Sequence, residues 1–196
     1  MLRKERPGAG EGQGGSGRRG QRGRGGDEEK GPRGNEGPDR YKMREKIVSI
    51  GDDYWIETQR GRRAYHVDGK ALRIRDTLKF EDAHGRELYE IQTKLIPIKE
   101  TMAVTKGNRE VAVVKKAIIS PLRDRLTANM ANGPDIEIRG NLLAHEYTME
   151  RRGKRVAEVS KKWLALADTY TIEVAGGEDD ALILALCVVI EQICQE

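Results

Sequence analysis

A chain of 196 residues with 36 Lys/Arg, 32 Asp/Glu, a formal charge of +4 and 5% aromatic residues has room for one domain with a proper core, or one domain plus a tail. Residues 1–40 hold 13 of the 23 glycines, 10 basic and 7 acidic side chains, so the remainder carries 26 basic and 25 acidic groups and is nearly neutral. A neutral folded part argues against a large electrostatic footprint for duplex nucleic acid, and no Cys-x-x-Cys spacing marks a metal site.

Residues 1–40 lack Ile, Val, Phe, Tyr and Trp. They cannot bury enough apolar surface to offset the entropy of ordering a backbone, so a disordered tail is expected there, with a folding unit over 41–196. Arg beside Gly in this tail is similar to segments that bind RNA by charge and stacking. Interleaved aromatic residues are missing, however, and Asp27, Glu28 and Glu29 dilute the charge, so a solvated tail is preferred over an RNA-binding one. The first residues hold no apolar run of a secretory signal, and the two cysteines show no disulfide framework, so a cytoplasmic setting is expected.

From residue 46 the chain is a succession of short β-prone runs. Ile47, Val48 and Ile50 begin it, and Gly51-Asp52-Asp53 turns into 54–58. Further alternating runs fall at 63–67, 77–81, 87–92, 101–105, 110–114, 126–130, 136–139, 145–150, 156–160 and 169–174, with turns at Arg60-Gly61, at 132–135 and at Arg152-Gly153. Turn signals every 8–12 residues or so predict a meander, sandwich or barrel. A weak internal repeat places Asp76, Glu100 and Asp124 at intervals of 24, and Lys70, Lys94 and Lys162 each precede an acid (Asp76, Glu100, Asp168) by six. Lys116 is the counterpart in the unit containing Pro121. Such a pattern suits a rim of bases and acids facing an anionic headgroup, but acids that accept turn N–H bonds and lysines that blunt sheet edges explain it more simply. A single closed sheet is preferred for units of this size.

Chemistry-bearing residues are sparse. His66 falls in a strand pattern and His84 in a turn, His145 stands alone, and no histidine pair has metal spacing. No nucleophile elbow, zinc helix or phosphate-binding loop is present. Neither a cofactor nor a metal is expected. Gly176-Gly177-Glu178-Asp179-Asp180 reads as a turn, an N-cap and acids that favour a helix dipole. The stretch 181–190 is apolar on every side, and ten helical residues reach only about 15 Å, half a bilayer core. Glu191 and Gln192 then interrupt it. A helix of that kind is expected inside its own protein, as a plug in a barrel, with a tail anchor as the less favoured alternative and no transmembrane segment. Cys187 and Cys194 on such a helix are too far apart along the axis for a disulfide.

The chain resembles the LURP-one-related proteins, whose fold is tubby-like and shared with phospholipid scramblases. The resemblance rests on residues 43–56, on 67–77 (Val67-Asp68-Gly69-Lys70 onward), on Ile119-Ser120-Pro121-Leu122-Arg123-Asp124, on 159–163 ending in Trp163, on Asp168-Thr169-Tyr170 and on 178–183. It implies a mainly β domain, a roughly twelve-stranded closed barrel around a central hydrophobic C-terminal helix, preceded by the disordered tail. Tubby domains bind phosphoinositides and plant members are linked to pathogen defence. This chain lacks the membrane-length helix and Cys-rich anchor of scramblases. Fold alone does not license function. The expectation is a non-enzymatic binding or scaffold module for an anionic phospholipid headgroup or a protein, with Arg73, Arg75, Lys115, Lys116, Lys161 and Lys162 as candidate contacts. An RNA-associated protein acting through the tail, or an enzyme built from dispersed His and acids, are the alternatives.

Overall fold

The computed structural model describes residues 37–44, 53–69, 77–94, 101–116, 124–161 and 169–195. Its strands are β1 (Asp39–Arg44), β2 (Tyr54–Thr58), β3 (Arg63–Asp68), β4 (Thr77–Asp82), β5 (Glu87–Lys94), β6 (Thr101–Lys106), β7 (Arg109–Lys116), β8 (Asp124–Met130), β9 (Ile136–Asn141), β10 (Glu146–Arg151), β11 (Lys154–Ser160) and β12 (Thr169–Val174). One helix, α1 (Asp180–Gln195), follows. Each strand pairs antiparallel with its neighbour in sequence, and β1 pairs with β12 from Asp39↔Val174 to Arg44↔Thr169, so the sheet closes into a barrel with no free edge.

The eleven runs read from 54–58 to 169–174 are β2 to β12, each bounded to within two residues. The run at 47–50 and residues 1–36 lie outside the described residues. β1 escaped the sequence reading because only Tyr41 and Met43 are apolar in Asp39–Arg44, and it starts just ahead of the boundary drawn between 40 and 41. Those two side chains enter the core at 2% and 1% exposure, and Arg40 Nε donates to Glu173 on β12 at 2.8 Å. Tertiary closure, not local pattern, makes this strand.

The barrel has two unlike rims. Hairpins β2–β3, β4–β5, β6–β7 and β10–β11 turn at one rim through Gly61, Gly85, Gly107 and Gly153, all at positive φ between 57° and 76–78°. Each of these hairpins carries a register shift near its turn, the bulge that a turn ending in a left-handed residue produces. The odd strands end, and the even strands begin, at the opposite rim, where the connections are longer. β9–β10 is the connection of that rim whose residues are all described. There Gly140 has φ 145°, and a Cβ on it would meet the Glu146 carbonyl oxygen at 2.3 Å and Tyr147 Cα at 2.6 Å, so only glycine lets β9 and β10 approach.

Interior positions alternate along the strands, as with Tyr65 and Val67, Leu78 and Phe80, or Ile136 and Ile138. α1 fills the space they enclose. Its residues Ile183, Leu184, Ala185, Leu186, Cys187, Val188, Val189 and Ile190 are all at 0–1% exposure, which covers every side of two helical turns. Each large aliphatic among them gains roughly 1.5–3 kcal/mol of transfer free energy. The apolar segment is therefore the core of its own barrel.

At the turn rim the helix entrance is fastened by hydrogen bonds. Asp179 caps it, its Oδ1 accepting from Leu182 N at 3.0 Å, and Tyr89 on β5 donates to Asp179 Oδ2 at 3.0 Å. Tyr41 on β1 donates to Asp180 Oδ2 at 2.7 Å, and Arg151 Nη1 meets Glu178 Oε2 at 2.5 Å. Tyr41, Tyr65, Phe80 and Tyr89 form a collar of ring contacts, 5.9, 5.3 and 6.3 Å between successive centroids. Burial, assisted by Asp39 and Asp179 and opposed by the Tyr41 hydrogen bond, pushes the Asp180 carboxyl up to about 6. A raised acid favours the fold while protonated. Its stabilisation is full below the unfolded value near 3.8 and is lost as pH rises through about 6. Relative to an Asp180→Asn variant, the natural protein is thus expected to be least favoured at pH 7 and to recover on acidification to pH 5. Urea unfolding of both proteins across that range checks this, and a pH-independent difference would contradict it.

Candidate functional site

Polar groups gather beneath the long-connection rim, where α1 leaves the barrel. Asn141, Leu142, Leu143 and Ala144 lead from β9 into the turn, with Asn141 Oδ1 accepting from Ala144 N at 3.0 Å and Leu142 O from His145 N at 3.1 Å. His145 takes φ 55°, a left-handed conformation that a non-glycine residue adopts only when its surroundings demand it. The demand is visible. His145 Nε2 contacts Glu191 Oε1 on α1, both side chains are buried, and the imidazole stacks on Tyr170 of β12 with centroids 4.5 Å apart at 23°. Leu142 is buried, while Leu143 at 68% is the large hydrophobic side chain left exposed among the described residues.

The surrounding wall is polar for a core. Tyr54 of β2, Tyr147 of β10 and Tyr170 of β12 bury their hydroxyls there. Burial, with the nearby Glu191 charge and Cys187 thiol adding to it, raises all three phenols well above their ordinary range, so they remain protonated. Burial likewise pushes the Cys187 thiol up to about 12, which keeps it inert as a nucleophile. Just outside, the Glu146 carboxylate accepts from Ser160 Oγ and from Lys161 N, each at 3.0 Å, clamping the start of β10 to the end of β11. The His145–Glu191 pair can hold a proton between two side chains. Among the described residues no group of three or more His, Cys, Asp or Glu could hold a metal ion.

The candidate basic residues fare unequally. Lys115 is exposed near the end of β7, opposite Thr101 and Thr127, and Lys116 closes that strand opposite Leu126. Lys161 follows β11, half-buried. Arg73, Arg75 and Lys162 lie outside the described residues, as do Lys70, Asp76, Glu100 and Asp168 of the repeat. Lys115 and Lys161 share the long-connection rim but stand four strands apart, on the order of 19 Å around the wall, so they form no single cluster. Lys94 pairs with Glu110 of β7.

Elsewhere the outer wall neutralises itself. Arg125 and Arg139 flank Glu137, Lys79 meets Glu87 at 2.9 Å, and Arg155 meets Glu158. His66 lies 3.0 Å from Glu81 and 4.7 Å from the Trp55 ring, over which Arg63 is placed at 4.7 Å. His66 and His145 stand on different faces of the wall, one turned outward and one inward. No helix among the described residues is long and apolar enough to cross a membrane.

The reading of single residues missed the His145–Glu191 pair. His145 looked like the first residue of a strand, and Glu191 like a break in an apolar run. A lone acid at the end of a helix buried on every side is nonetheless a signal, because such a charge needs a partner. Glu191→Ala would leave the imidazole buried without that partner. A loss of about 3–5 kcal/mol is expected, with Glu191→Gln milder, measured by denaturant unfolding. A loss below about 1 kcal/mol, the scale of exposed pairs, would contradict the assignment.

The profile of the LURP-one-related family matches residues 40–191. The X-ray structure of a protein from Arabidopsis thaliana superposes with a TM-score of 0.61 at 15% identity, over 81% of this chain and 92% of that one. That likeness is one of fold. Among curated proteins none matches.

Proposed function

The chain belongs to the LURP-one-related family, and from that premise we propose that it is a non-enzymatic binding module whose long-connection rim takes an anionic phospholipid headgroup. The observation that carries this reading is the strand order. In a closed antiparallel barrel β3, β7 and β11 all end at the same rim, and they are followed by or contain the three basic pairs Arg73/Arg75, Lys115/Lys116 and Lys161/Lys162. Leu143 is on that rim too. An exposed aliphatic tip amid separated cations suits a membrane interface, where the apolar group enters the headgroup layer and each Lys or Arg contributes about 1 kcal/mol.

Two further features support a surface role over chemistry. The apolar helix is consumed by the core, so it is not spare for anchoring. The buried acid–imidazole pair lies beside a thiol held protonated, with no activated nucleophile among the described residues. The composition of residues 1–40 fits an unfolded extension ahead of this module, and a cytoplasmic setting would present the rim to anionic leaflets.

Vesicle co-sedimentation tests the proposal. Retention is expected on phosphatidylcholine vesicles containing a phosphoinositide, falling with salt, and not on phosphatidylcholine alone. Reversing both charges of one basic pair should weaken retention about tenfold or more. Equal recovery on both vesicle types would overturn the lipid reading and leave a protein as the partner to seek.

A further inference from the structure

Tyr54, Tyr170 and Tyr147 stand on β2, β12 and β10, on interior positions shared with Ile56, Ile172 and Met149. Their hydroxyls are sealed from solvent and make no hydrogen bond to the protein. The Tyr170 hydroxyl approaches Glu191 and that of Tyr147 approaches Cys187 closely enough to affect titration, yet neither approach has the alignment of a hydrogen bond. All three sense both Glu191 and Cys187, which sit four residues apart on one stripe of α1. Three orphaned donors therefore converge on one stretch of helix.

Buried polar groups are satisfied as a rule, and the usual missing partner is ordered water. Were this storey dry, phenylalanine would serve better at every one of the three positions, as Phe80 does elsewhere on the wall. We propose that the exit end of the barrel is an internal hydration site. Water molecules accept from the three hydroxyls and from one another, and donate to the carboxylate of the His145–Glu191 pair, whose oxygens offer several lone-pair positions. Water fits this role because it both accepts and donates. The ligand must take protons from three phenols and give them to a carboxylate within a core otherwise filled by aliphatic side chains. The network ties three separate strands to the last turns of the plug, and it is independent of what the rim outside binds.

Tyr→Phe substitutions read this directly, since each removes one oxygen and leaves packing intact. Y54F, Y147F and Y170F are each expected to lower the melting temperature, and the triple variant to lower it by less than the sum, because the hydroxyls share waters. Water-oxygen-17 relaxation dispersion on the folded proteins should show long-lived internal waters in the natural chain and fewer in the triple variant. Unchanged or higher melting temperatures together with unchanged dispersion would mean the storey is dry and overturn the proposal. A small organic molecule released on denaturation and detected by mass spectrometry would overturn it as well.

Discussion

A helix that is apolar on every side can be satisfied only by enclosure, and the whole barrel answers that requirement. Ile183 to Ile190 leave no face for solvent, so a sheet packed on one side would strand half of the segment. A sheet that curls until β1 meets β12 covers all sides at once and pairs its own edges in the same act. Each half depends on the other. The wall without the helix would enclose a void, which close-packed interiors do not tolerate, and the helix without the wall would be an aggregation-prone segment of chain.

The two ends of the plug are held by different chemistry. At the entrance, acids at the helix N-terminus meet the dipole favourably and take hydrogen bonds from Tyr41 and Tyr89, within a collar of aromatic rings. At the exit, a negative Glu191 lies in the less favourable half of the dipole and is compensated by His145. That pairing fixes the β9–β10 turn in a strained conformation and so holds Leu143 outward on the rim. The interior thus sets the geometry of a surface element. The described side wall, by contrast, is laced with local ion pairs and offers a partner little uncompensated charge.

Much of this fold can be read from residue patterns alone. Alternating pairs such as Val67 with Tyr65, turns such as Arg60-Gly61 and Arg152-Gly153, and an apolar run too short for a bilayer each carry a local physical signal, and together they specify a plugged, closed sheet. β1 is different, because Tyr41 and Met43 amid charges acquire their meaning only from β12, more than a hundred residues away. The exit site is harder still. His145, Glu191, Tyr54, Tyr147 and Tyr170 come from four strands or turns and a helix, with no fixed spacing, and nothing short of the register brings them together. Gly140 shows the same limit, since its need for a missing side chain arises from the closeness of Tyr147 on the next strand.

The claim on which the rest stands is that α1 is the interior of the barrel. Cys187 reports it, being wholly enclosed, with its thiol held protonated by burial. Labelling the native protein with a thiol reagent, with peptide-level mass spectrometry to separate Cys187 from Cys194, measures its protection. Enclosure predicts that Cys187 reacts only as fast as the whole molecule unfolds, accelerating in denaturant in step with loss of the β-sheet signal. Reaction at the rate of an unprotected thiol while the sheet remains intact would show the helix lying outside its barrel.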